Sequence, residues 1–411
     1  MAFPATFNRL AWSNLAAQSA EQVGLAAAPI VAVLALGAGA GATGVLQTAQ
    51  TLPFVLLAIP AGVVADRASR RRLMAGAEAL RVVALASVLA LALLDRLTFP
   101  LLAALGFIGA CGTVAYSVAA PALVPALVPS SALAAANGRL ELARTIAFTA
   151  GPAVAGGLVG WAGGGPAFGV AAALSLCAVF LLAGLPEPPR PAPAGPAGAS
   201  SRASRDALAE IREGASFVCR HRLLLPIYVT QVVFNAAFFV LHAVYVPYAV
   251  SRLGLSESAV GTTLAVYGLG MIVGALLAPR IIAALPFGWV IALGPIAGAA
   301  AAIVMVATLW LPSAALAGAS FFLIGAGPIA WVISTATLRQ TVTPAALLGR
   351  VSAINIAGYG ARPVGAAIGA LVGGLYGAET CLVIAALGFL TQAAVIVTSP
   401  VLRLAKLPAS A

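Results

Sequence analysis

Six ionisable side chains stand inside long apolar stretches of this chain: Glu21, Glu78, Arg81, Glu141, Arg144 and Arg362. A charge within hydrocarbon costs at least ~2.5–3.5 kcal/mol on insertion scales, so each needs a partner, a water-filled cavity or a function. Glu78 and Arg81, and likewise Glu141 and Arg144, have i,i+3 spacing, which puts each pair on one helix face. Each pair reads as a structural ion pair near a helix end or as part of a gate. Glu21 has no such local partner. It closes a stripe of Asn14, Gln18 and Glu21 at i, i+4, i+7, with Gln22 alongside. Such a stripe must face protein or a cavity. At about eleven residues into its helix and 1.5 Å per residue, Glu21 lies ~16 Å deep, near a bilayer midplane. A carboxyl group there takes a proton or, once ionised, a cation, so proton and cationic ligand would compete for it. The alternative is a structural carboxylate held by neighbouring amides or a distant Arg.

Arg362, about thirteen residues into its own helix, reaches a similar depth. It reads as the partner of Glu21 or of a bound chloride, or as the anchor of an anionic ligand, because a guanidinium forms bidentate contacts with oxyanions. Gln231, Asn235 and His242 form a second polar series. His242 is either a further titratable group or, beside Tyr245 and Tyr248, an interfacial packing residue.

The elements positioning these side chains follow from composition. Of 411 residues, 62% are hydrophobic and 8% charged, against roughly 45–50% and about 25% in soluble domains. Apolar runs of spanning length fall at 10–36, 43–65, 73–94, 98–124, 139–162 and 166–185, then at 223–249, 258–284, 287–311, 313–338, 349–375 and 378–399. The expected fold is therefore all-α and polytopic, with about twelve transmembrane helices in two six-helix bundles. Residues 1–185 form the first bundle, 186–222 a Pro-rich and then polar cytoplasmic linker, and 223–411 the second bundle. Asp206 to Arg220 reads as a surface helix or, more simply, as solvated linker. No short apolar region followed by a small-residue cleavage site opens the chain, so the first helix is expected to be retained.

The net charge of +11 reflects topology rather than nucleic-acid binding. Seventeen of 22 Lys and Arg fall on the side of the termini, Arg96 and Arg252 on the other, and three inside helices. By the positive-inside rule both termini are cytoplasmic, in a cell inner membrane. Cys111, Cys177, Cys219 and Cys381 are widely separated, and no metal site is expected.

The halves repeat. Gly138-Arg139 precedes Pro152 by fourteen and thirteen residues, and Gly349-Arg350 precedes Pro363 by the same spacings, a shift of 211 residues. Gly151, Pro152 and Pro363 are expected to kink helices or permit close packing. A shift of 212 carries Gly62-Val63-Val64-Ala65 onto Gly274-Ala275-Leu276-Leu277. Duplicated halves are a common transporter plan, with the binding site between them.

Gly62-Val63-Val64-Ala65-Asp66-Arg67-Ala68-Ser69-Arg70-Arg71 resembles the major facilitator signature G-x-L-a-D-r-x-G-r-k, with Val64 for Leu and Ser69 for Gly. The resemblance implies that Gly62, Asp66, Arg67, Arg70 and Arg71 build a cytoplasmic gate, that helices 1 and 7 line a central cavity, and that transport proceeds by alternating access. Pro60-Ala61-Gly62, Arg70-Arg71-Arg72-Leu73, Glu78-x-x-Arg81 and Gly151-Pro152 are similar, more narrowly, to the bacterial branch holding enterobactin exporters and macrolide efflux permeases. Helix 4 lacks the Arg frequent in the superfamily's antiporters, and helix 5 reads Gly151-Pro152-Ala153-Val154-Ala155-Gly156-Gly157, one residue longer than their G-P-x-x-G-G run.

No phosphate-binding loop of Walker type is present, so the expected energy source is the proton gradient. The leading expectation is a proton-coupled secondary exporter of an amphipathic drug, natural product or siderophore. An uptake symporter, a lipid flippase and a non-transporting receptor are the rivals. The expected partners are a small-molecule substrate, protons and membrane lipid, with no nucleic acid and a monomer as the working unit. No cofactor is expected, and no nucleophile–base set indicates an enzyme.

Overall fold

The computed structural model describes residues 3–57, 60, 69–124, 127–129, 132–185, 212–344 and 347–408. All regular structure among them is helical. The first half holds α1 (Ala5–Leu34), α2 (Ala40–Leu56), α3 (Arg70–Leu93), α4 (Phe99–Leu123), α5 (Leu133–Ala162) and α6 (Gly164–Ala183). The second holds α7 (Leu224–Ser251), α8 (Glu257–Ala284), α9 (Phe287–Ala307), α10 (Ala314–Ala326 and Pro328–Val342), α11 (Leu348–Ala357 and Ala361–Tyr376) and α12 (Ala378–Thr398). Among the described residues ten helices are long and apolar enough to cross a membrane, α10 being counted as one span. The other two spans are α2, whose described part is 17 residues, and the divided α11.

Two prolines explain the divisions. Proline has no N–H and its ring crowds the carbonyl four residues back. Pro328 begins the second segment of α10 directly after Gly327. Before Pro363, α11 tightens into a 3-10 turn over Gly358–Gly360, so the expected kink lies in the turn preceding the proline. Around Pro152, by contrast, α5 stays helical from Leu133 to Ala162. The role of Gly151 is close packing: a Cβ there would meet the Cβ of Gln22 on α1 at 2.5 Å.

The halves pack alike. In the first, α1 lies on α5 and α6, and α3 on α4 and α6; in the second, α7 lies on α11 and α12, and α9 on α10 and α12. They meet chiefly through two equivalent contacts, α2 with α11 and α5 with α8, and α2 also touches α7. Small residues make both approaches possible, Gly41 facing Gly374 and Gly156 facing Gly261. All these pairs lie toward the end of the bundle remote from the chain termini. There both halves contribute to one apolar core, including Ile30, Val31, Phe168, Val244, Tyr245 and Phe321. At the end of the termini each half keeps its own core, one around Phe7, Leu10 and Tyr116, another around Leu224, Ile291 and Ile396.

The linker departs from a purely solvated segment where it is described. Residues 212–220 are helical, Glu213 pairs with Arg350, and Val218 is buried in the second-half core with Leu224 and Val351. His221 then caps α7, its Nδ1 accepting hydrogen bonds from the backbone N–H groups of Leu223 at 3.2 Å and Leu224 at 3.3 Å. Only an unprotonated Nδ1 accepts, and partial burial holds the His221 pKa below its ordinary 6.5. The cap is therefore fully present above about pH 6.5 and is lost as the pH falls through the depressed value. We expect detergent-solubilised wild type to lose more thermal stability between pH 7.5 and 5 than His221→Asn, whose side-chain oxygen caps at both pH values. Identical pH slopes would refute the assignment.

Candidate functional site

Between the halves lies a cavity of about 240 Å³. Its walls come from α1, α2, α3, α4, α5 and α6 on one side and α7, α8, α10 and α11 on the other. Most of the surface is apolar, with Phe54, Phe148, Phe168, Phe238, Phe239, Phe321, Tyr245 and Tyr267 supplying rings. Such a wall favours apolar or aromatic ligands, with a few polar groups fixing orientation.

Glu21 and Gln22 line this cavity, as do Arg81, His242 and Arg362. The immediate partner of Glu21 is Arg81, whose Nη2 stands 3.9 Å from Glu21 Oε2. Arg81, sixty residues away in sequence, is thus a distant Arg of the kind one reading of Glu21 allowed, rather than Arg362. Arg81 is itself inside the protein. It is 3% exposed, with Nη1 2.8 Å from Glu78 Oε1 and donating to Ala17 O at 3.0 Å. Its Nη2 donates to Thr113 Oγ1 at 2.7 Å. Glu78 Oε2 accepts from Ser175 Oγ at 3.0 Å. The i,i+3 pair is thus tied to α1, α4 and α6 as well as α3, contacts that helix periodicity does not reveal. Glu141 and Arg144 pair as their spacing implies, with Arg144 Nε donating to both carboxylate oxygens at 3.0 and 2.9 Å. The Arg144 guanidinium also lies 5.4 Å from the ring centre of Phe148.

Arg362 donates from Nε to Asn235 Oδ1 at 3.0 Å. Its guanidinium lies 4.4 Å from the ring centre of Tyr359 and 5.6 Å from that of Phe239. Asn235 is therefore behind Arg362, orienting it, and donates its own Nδ2 to Gln231 O at 2.8 Å. Gln231 Nε2 donates to Asn355 O at 2.9 Å, and Asn14 Nδ2 to Leu140 O at 3.2 Å. Asn14, Gln18, Gln231 and Asn235 are not among the residues lining the cavity; three of them satisfy neighbouring helices instead. His242 is a cavity residue rather than an interfacial one. Its Nδ1 is 3.2 Å from Gln47 Oε1 of α2, bridging the two halves.

Sequence reasoning missed Gln47, Gln50 and Thr51, which line the cavity from α2. Their i, i+3, i+4 spacing is the same polar-stripe signal that identified Glu21. Of the signature residues, Gly62, Asp66 and Arg67 lie outside the described residues. Arg70 opens α3, and Arg71 Nη1 donates to Ala183 O at 3.3 Å and Leu185 O at 2.8 Å, joining the start of α3 to the end of α6. No cluster able to hold a metal occurs among the described residues.

Two six-helix halves enclosing a central, partly charged cavity define a membrane transporter. The model of the Major Facilitator Superfamily matches residues 10–370, and the chain belongs to that superfamily. No curated protein sequence matches it. Among solved structures, it is similar to a bacterial homologue of the human lysosomal transporter Spinster in an inward-facing, unoccupied conformation. That likeness has a TM-score of 0.70 at 15% identity over 96% of this chain and 97% of the other. A POT family transporter in complex with 5-aminolevulinic acid gives 0.75 at 12% identity over 97% and 96%. A D-xylose–proton symporter gives 0.70 at 14% identity over 96% and 97%. At these identities the likeness concerns the fold.

Proposed function

We propose that the protein is a proton-coupled secondary exporter of an amphipathic small molecule in the cell inner membrane, working as a monomer by alternating access. The observation carrying this reading is Glu21, a carboxyl group set in a largely apolar, ring-rich cavity between the halves. A proton on Glu21 and the cationic end of a substrate exclude one another, which is the elementary requirement for exchange. With both termini cytoplasmic, as the basic residues favour, the core shared by both halves lies at the outer end, which supports loading from the cytoplasm, as an exporter requires. The efflux-type sequence resemblance supports the same direction, and the broader choice among drug, natural product and siderophore rests on that resemblance alone.

The test is reconstitution of wild type and Glu21→Gln in vesicles carrying an imposed proton gradient, with internal pH followed on separate addition of macrolides, cationic dyes and catechol siderophores. Wild type is expected to move protons when one class is added, and Glu21→Gln to bind that class without moving protons. Proton-driven transport by Glu21→Gln would remove the carboxyl group from the mechanism. Accumulation in the direction of the proton flux would identify an uptake symporter, and movement of phospholipid alone a flippase.

A further inference from the structure

We infer that the cavity recognises a zwitterionic ligand with an aromatic or apolar body, its cationic end on the Glu21 wall and its oxyanion on Arg362. This rests on the reading of the cavity as the transport site. The charges on its two walls do not balance separately. On the first-half side two carboxylates, Glu21 on the wall and Glu78 buried behind it, share the single guanidinium of Arg81, at 3.9 and 2.8 Å. Glu78 has the closer contact, so Glu21 holds the unspent negative charge. Facing it, Arg362 contacts an amide and two rings. No carboxylate among the described residues pairs with it. Glu141 and Arg144 neutralise each other and change nothing in this comparison.

The fixing of Arg362 fits oxyanion binding. Asn235 occupies Nε, and Tyr359 and Phe239 lie against the guanidinium, so the Nη groups remain for a ligand in the bidentate geometry that guanidinium favours. Gln50 also lines the cavity and is 5% exposed, and its Oε1 has no hydrogen-bond partner among the described residues. Because Glu21 belongs to α1 and Arg362 to α11, one ligand with both charges ties the halves together, whereas a singly charged ligand leaves one wall unmatched.

Three fluorescent probes separate the charges: Nε-dansyl-lysine carries both, dansylcadaverine is the same molecule without the carboxylate, and dansyl-6-aminohexanoate keeps the carboxylate without the amine. Each is titrated against the full chain in lipid nanodiscs. Dansyl-lysine is expected to bind tightest. Arg362→Gln should weaken dansyl-lysine by about tenfold or more, the worth of a charge-assisted hydrogen bond, down to the level of dansylcadaverine, whose own binding stays unchanged. Glu21→Gln should weaken dansyl-lysine and dansylcadaverine and spare dansyl-6-aminohexanoate. Arg362→Lys, keeping the charge, should restore part of the dansyl-lysine affinity. Equal binding of dansyl-lysine and dansylcadaverine by wild type, loss of all three probes in Arg362→Gln, or no binding of any probe would each overturn the inference. Charge-selective binding without substrate-triggered proton movement would refute the coupling reading while leaving this one standing.

Discussion

Replacing Arg81 by methionine is expected to destabilise the protein by about 3–5 kcal/mol, the usual cost of removing one partner from a buried ion pair. Methionine fills much of the space of the arginine stem but leaves Glu78, fully buried, with only Ser175 to compensate it. Ala17 O and Thr113 Oγ1 lose a donor at the same time. Heating in detergent, with monodisperse protein measured after each step, reads the loss. Two further variants make the result interpretable. Glu78→Gln combined with Arg81→Met should recover most of the stability, because the stranded charge is gone. Arg81→Lys should recover only part, since a single ammonium on a flexible stem cannot reach Glu78, Ala17 O and Thr113 together as the planar fork does. If Arg81→Met melts with wild type, the buried pair contributes nothing to the fold.

A leucine at Gly156 is expected to abolish transport by preventing closure of the end remote from the chain termini. A Cβ at this position would stand 2.6 Å from Glu257 O and 2.8 Å from Gly261 Cα, backbone atoms that cannot swing aside as a side chain can. Overpacking of this kind costs about 1–3 kcal/mol. Charged only to the state in which α5 and α8 touch, 3 kcal/mol shifts the balance between the two facing states by more than about a hundredfold. Spin labels at Arg96→Cys and Arg252→Cys, on loops of opposite halves at that same end, should move apart in Gly156→Leu in a background without native cysteines. Gly157→Leu is the control. A Cβ at Gly157 meets nothing within 4 Å, so that variant should keep wild-type distances and transport. An unchanged label distance in Gly156→Leu would show that the contact does not control which end is open.

Both results bear on how the charged residues were read. Glu78–Arg81 was visible as a pair because i,i+3 spacing is a property of one helix. Its depth, and its link to Glu21, depend on how α3 packs against α1, α4 and α6. His242 was ambiguous for the same reason: nothing local distinguishes a helix-end packing residue from one that reaches Gln47 across the two halves. Asn235 belongs to the polar series in sequence, yet its effect on the cavity is indirect, through the Nε of Arg362.

The sequence by itself determined that the chain lies in lipid, that it forms two repeated helical halves, and that Glu21 and Arg362 fall within long apolar helices. Those conclusions rest on apolar length, helical period and charge distribution, which depend on neighbours along the chain. Tertiary structure alone decided that Arg81 serves two carboxylates, that Arg362 has none among the described residues, and that the halves close at the end remote from the termini. These depend on residues far apart in sequence, such as Gly156 with Gly261 and Gly41 with Gly374, meeting where the absence of side chains lets two backbones approach.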